Sequence, residues 1–347
     1  MFKSRTVFVI GAGASKEFGF PLGADLTAQI ASSLNFRFEH GQYSGGGDGT
    51  ILDAIRRSEG ALHDTNGRLR AASIHIREAM PISPSIDNYM EAHSTSTEIA
   101  VVAKIAIASE IVRAEANSRL KVNRDYPWRL RFDNLGDNWI RRLFIRLVEG
   151  VKKADIKNIL ANVSFIIFNY DRCVEQFLFY ALQAYYQIPD TTAADILNSV
   201  TFIHPYGAVG RLPWQVCTDE TATVEFGEDV GADKLIHSSS SLVTFAESQA
   251  SARKGEIAQL ISGMQCITFL GFAFLEQNME LIRGSAPSLT RVYATAYGFS
   301  DSDVSVIRGK IVTAFQTMPM LQNTQVQVKN DLKCTELLNS FSLSITQ

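Results

Sequence analysis

The chain has 347 residues, of which 46% are hydrophobic and 20% charged, a soluble globular balance that excludes a disordered chain. A formal net charge of -3 excludes the strongly basic footprint of a dedicated nucleic-acid binder, and Lys152-Lys153 reads as a solvated helix face. The four cysteines, Cys173, Cys217, Cys266 and Cys334, are widely spaced without a CxxC pair, which excludes a disulfide framework and zinc-finger spacing.

Met1–Arg5 leads directly into a short apolar run, without the longer core and small-residue cleavage site of a signal peptide. No apolar stretch approaches the roughly 18 residues that span a bilayer, so a cytoplasmic protein with no membrane partner is expected. Thr6–Ile10 is a continuous β-branched and aromatic run, the pattern of a strand buried on both faces. Gly11-Ala12-Gly13-Ala14-Ser15 follows as a turn, and Ala24–Leu34 has helical spacing. Gly41–Gly49 is Gly- and Ser-rich and reads as a surface loop.

From about 50 to 155 the pattern is helical, with a long Ala/Ile/Glu run over Ile86–Leu120 and an amphipathic segment over Trp139–Val151. This block is expected to be a large helical insertion packed beside the sheet, because no linker isolates it. Strand patterns resume at Val163–Phe168, Val200–His204, Cys266–Leu270 and Arg291–Ala296. Helices are predicted over Val174–Tyr186, Ser251–Ser262, Glu276–Arg283 and Asp303–Phe315. Alternating strands and helices predict an α/β, Rossmann-like doubly wound parallel sheet. The expected division is a catalytic domain over 1–300 and a C-terminal extension over 301–347 that packs on it or serves in assembly.

Four segments end buried-looking strands with unusual residues: Gly11–Ser15, Asn169–Asp171, His204–Gly207 and Gly271–Phe274. In a doubly wound sheet, such segments converge on the carboxyl rim, where ligands bind. The glycine turn suits close approach to a pyrophosphate, or equally a tight strand–helix junction. A hydride-transfer fingerprint would place a third glycine where Lys16 stands and an acid after a second strand. Glu39 fills that second role poorly. Asn169 ending a strand and Asp171 capping the next helix are plain structural readings, as is a hydrogen-bonded His204. Gly271 could mark another packing turn.

Taken in order, the segments resemble the sirtuin-like superfamily. The resemblance rests on Gly11–Ser15, Gly19-Phe20-Pro21, Asn169-Tyr170-Asp171, His204-Pro205-Tyr206-Gly207 and Gly271-Phe272-Ala273, with Ser85–Tyr89 resembling an Ile-Asp element of divergent bacterial members. It spans roughly residues 5–285. The chain departs from sirtuin deacylases in having no paired zinc cysteines, and it carries Leu22-Gly23-Ala24 where they carry Asp-Phe-Arg.

The resemblance implies a zinc-less enzyme that cleaves NAD⁺ to nicotinamide and ADP-ribose in antiphage defence, with a HerA-type ATPase as a possible partner and with self-association. It implies that Asn169 positions the ribose or the attacking water, Asp171 binds the carboxamide, and His204 contacts ribose hydroxyls and acts as general base. Gly11, Ala12, Gly13 and Ser15 would hold the pyrophosphate, while Pro21, Gly207, Gly271 and Phe272 would line the nucleotide. No metal is needed. The rival readings are an oxidoreductase, a module that senses NAD⁺ or ADP-ribose, and a protein deacylase.

Overall fold

The computed structural model describes residues 2–40, 42–62, 67–122, 130–216, 223–287, 290–315 and 325–347. The chain opens with β1 (Thr6–Ile10), all five residues buried, as its unbroken apolar run predicts. A small antiparallel ribbon follows, β2 (Arg37–Glu39) and β3 (Gln42–Gly45), apart from the main sheet. The remaining strands are β4 (Val163–Ile167), β5 (Phe202–Ile203), β6 (Cys266–Leu270), β7 (Arg291–Thr295) and β8 (Val326–Lys329). The six-stranded sheet runs β5-β4-β1-β6-β7-β8, with every pair parallel.

Numbered among themselves, these strands have the order 3-2-1-4-5-6 of a Rossmann-like doubly wound fold. The order reverses between β1 and β6, paired from Thr6↔Cys266 to Ile10↔Leu270. That is the switch point at which open α/β sheets bind ligands.

The crossover from β1 to β4 contains the helical insertion. Its centre is the 21-residue helix Thr97–Asn117, where Ile105, Ala106, Ile107, Ala108 and Ser109 are buried in succession. A helix covered on all sides lies inside the molecule. It packs against Gly23–Ser33, Gly49–Ala61, Arg68–Ala79 and Ala232–Ser240, and one continuous apolar core runs through insertion and sheet. The Trp139–Val148 helix buries Trp139, Ile140, Leu143, Phe144, Leu147 and Val148. The Trp139 indole N–H donates to the Ala14 carbonyl at 2.9 Å, tying the insertion to the glycine turn.

Three local expectations change. The predicted run over Ile86–Leu120 is two helices, Ile86–Ala92 and Thr97–Asn117, because the Ser85 and Ser96 hydroxyls accept from the amides of Asn88 and Ile99 and start each one afresh. The Gly41–Gly49 loop contains β3. The segment after residue 300 completes the sheet: β8 pairs with β7 over Val292↔Val326 to Thr295↔Lys329. The last helix, Cys334–Thr346, packs on Trp139–Val148 and against β6 and β7. Cys173, Cys266 and Cys334 are buried free thiols, and Cys217 lies outside the described residues. Among the described residues no helix is long and apolar enough to cross a membrane.

Candidate functional site

The four strand-end segments meet at the carboxyl rim. Gly11 follows β1 and donates its N–H to Leu270 O at 2.9 Å, and the Gly13 N–H donates to Gly271 O at 3.0 Å. The approach leaves no room for side chains. A Cβ on Gly11 would lie 2.5 Å from Gly271 O, and one on Gly13 would lie 2.8 Å from Gly271 Cα. Gly271 itself sits at φ +60°. The glycines therefore close the β1 turn onto the β6 turn, and among the loop amides it is the Ala12 N–H that has no hydrogen-bond partner among the described residues. The helix after Gly11 is only Ala12–Ser15, passing into a 3-10 turn at Lys16–Phe18, so the main helix dipole starts later, at Gly23.

Asn169, just beyond β4, is buried and reaches the turn that follows β1. Its amide donates to Gly11 O at 3.1 Å and to Ser15 Oγ at 2.7 Å. Asp171 is also buried and accepts the Cys173 N–H at 3.1 Å, the local bond of a helix-starting carboxylate. Burial raises its pKa above the usual carboxylate value, against the lowering effect of hydrogen bonds from Cys173 and Ser15. The same desolvation pushes the neighbouring Cys173 thiol well up.

His204 follows β5 and faces two acceptors. Its Nε2 lies 2.7 Å from Glu175 Oε1 and its Nδ1 lies 3.3 Å from the Asn169 carbonyl. Burial opposes the charged ring, but the Glu175 carboxylate, the Asn169 carbonyl and Asp171 together raise its pKa. A ring in this position has no nitrogen lone pair turned toward a ligand. Glu175 stands in the first turn of the Cys173–Tyr186 helix and is 1% exposed. Its other oxygen, Oε2, is buried without a hydrogen-bond partner.

The residues between these anchors are also fixed. Gly207 turns the chain at φ +73°, where a Cβ would meet Ser241 O at 2.1 Å. Phe272 is buried among Phe168, Phe269 and Phe274, with ring centroids 5.0, 5.4 and 5.2 Å away. Its ring is taken up by that aromatic packing. Pro21 is half-buried before the Gly23–Ser33 helix. The Tyr170 hydroxyl donates to Asp87, and Tyr206 donates to Asn278 Oδ1 at 2.7 Å. Desolvation raises the pKa of Asp87 and of both phenols.

Sequence reasoning missed Glu175 and the Arg172–Glu115 pair. Arg172 is 1% exposed and Glu115 fully buried. The Arg172 Nε–H donates to Glu115 at 3.0 Å and Nη1 donates to Val224 O at 2.6 Å. This joins the central helix of the insertion to the turn after β4. Arg172 follows directly on Asn169–Asp171 and Glu175 stands three residues further on, and that proximity is the available signal. Their partners Glu115 and His204 come from distant parts of the chain.

A cavity of about 470 Å³ opens beside His204 and Gly207 and is also lined by Glu175, Arg211 and Arg253. A larger one, about 850 Å³, lies against Phe179, Trp214 and Phe226 and is lined by none of the expected site residues. The smaller cavity touches the convergent cluster, so it is the relevant one despite its size. Among the described residues no group of three His, Cys, Asp or Glu side chains is placed to hold a metal ion. No protein-family model, curated protein or solved structure matches this chain.

Proposed function

We propose that the protein hydrolyses the nicotinamide–ribose bond of NAD⁺, giving nicotinamide and ADP-ribose. The observation that carries this reading is the hydrogen-bonded convergence of Gly11, Ser15, Asn169 and His204 at the switch point of a 3-2-1-4-5-6 sheet, beside a cavity. NAD⁺ is the substrate. Its nicotinamide is a cationic leaving group, so catalysis consists of holding the sugar as positive charge develops and delivering a water. In this reading Asn169 and the Ala12 amide orient the nucleotide from the rim, Asp171 receives the carboxamide, and His204 lies at the ribose. The biological setting is antiphage defence, with self-association and a HerA-type ATPase as partners, a setting taken from the sirtuin-like resemblance.

The test is nicotinamide release from NAD⁺, followed by chromatography with purified protein. Wild type is expected to release nicotinamide, and Asn169→Ala and His204→Ala to lose about 100-fold or more in rate. Equal release by the variants sinks the site assignment. A wild type that binds NAD⁺ and releases nothing favours the second reading, a module that senses NAD⁺ or ADP-ribose. That reading draws on the inward commitment of the Asn169 amide and the Gly13 N–H.

A further inference from the structure

Resting on the hydrolase reading, we propose that Glu175 is the catalytic residue that takes the proton of the attacking water, with the water and ribose seated in the cavity beside His204. Hydrogen-bond direction separates the two candidate bases. A carboxylate and a carbonyl only accept, so His204, placed between Glu175 Oε1 at 2.7 Å and Asn169 O at 3.3 Å, satisfies both when each ring nitrogen carries a proton. Such a ring cannot take a proton from water.

Glu175 can. Its Oε1 is held by His204, while Oε2 is buried, unpartnered and part of a cavity-lining side chain. A buried acceptor without a donor has given up its water without replacement, and a ligand O–H removes that cost. Asp171 is less suited, because its carboxylate accepts from Cys173 and it does not line the cavity. The other charged groups around the cavity are Arg172, Arg211, Arg253 and Glu256. Arg172 is engaged with Glu115, which leaves Arg253 and Glu256 as a cation and an anion on the same cavity wall.

The step balances. Water oxygen bonds to the anomeric carbon as the carbon–nitrogen bond breaks, and its electron pair neutralises the pyridinium nitrogen. The water proton goes to Glu175 Oε2 and is then lost to solvent. His204 stays charged throughout and positions the carboxylate.

Two measurements test this on the full chain. Nitrogen-15 NMR of His204 at neutral pH is expected to show both ring nitrogens protonated in wild type, and a neutral ring overturns the assignment. Turnover of NAD⁺ by Glu175→Gln is expected to fall at least ~100-fold between pH 6 and 9 with KM changed less than about 3-fold. Glu175→Gln that keeps more than a tenth of wild-type turnover overturns the proposal while leaving the hydrolase reading intact. A wild type that releases no nicotinamide removes the hydrolase reading, and the base role with it. If the amide variant does not fold, Glu175→Asp serves. It keeps a carboxylate drawn back from the cavity, and full turnover in that variant counts against the proposal.

Discussion

Gly271 is the tightest point of the rim. Its φ of +60° belongs to the left-handed region, and an added Cβ would lie 2.0 Å from the Ala14 amide nitrogen, a backbone atom that cannot move aside cheaply. Gly271→Ala is therefore expected to destabilise the fold by about 3 kcal/mol or more, from strain and overpacking together. Urea denaturation measures it, and a loss under about 1 kcal/mol refutes the close approach. His204 makes a pH-dependent contribution. Its folded pKa is raised above the ordinary histidine value of 6.5, so its stabilisation is complete below that pH and is lost as pH rises through the higher folded value. Thermal unfolding from pH 6 to 9 is expected to show this decline in wild type and a shallower one in His204→Gln. Parallel profiles contradict it.

Between elements, the Arg172–Glu115 pair joins the central helix of the insertion to the turn after β4. Glu115→Ala leaves a buried guanidinium without its carboxylate, an expected loss of about 3–5 kcal/mol in denaturant unfolding. The double variant Glu115→Leu with Arg172→Met removes both charges and is expected to recover much of that. A double variant no more stable than Glu115→Ala shows that the pair is worth more than its desolvation cost. Elements of this kind differed in how visible they were in the sequence. β1, β4, β6 and β7 were legible because strands buried on both faces are unbroken apolar runs, as in Thr6–Ile10 and Cys266–Leu270. β8 reads Val-Gln-Val-Lys and alternates buried with half-buried residues, so its four residues carry no apolar run that marks a strand. The glycine turn was visible, but its packing against Gly271 depends on a strand far along the chain. Glu175 and Arg172 were hidden for the same reason: a charge in a helix's first turn looks like a capping group until its partner is known.

Across the whole molecule, sheet and insertion share one core, and the final 23 described residues belong to it. Removing residues 316–347 strips β8 from β7 and takes away the helix that covers Trp139–Val148. The truncated chain is expected to be insoluble or to lose its cooperative thermal transition, as followed by circular dichroism. A soluble fragment with the wild-type transition would falsify that dependence. The crossover after β1 has a further consequence in time. The first strand made is the central one, yet Gly11 meets Asn169 only 158 positions later, and Arg5 meets Gln265 only 260 positions later. During synthesis at about 5–20 residues per second, β1 must wait many seconds for either neighbour. It is an apolar segment with both edges open, and such edges pair readily with other chains. Four helices of the insertion, Gly49–Ala61, Arg68–Ala79, Ile86–Ala92 and Thr97–Asn117, pack on one another and emerge in that interval, so they can gather first and shelter β1 until β4 arrives, while Ala232–Ser240 closes over them later.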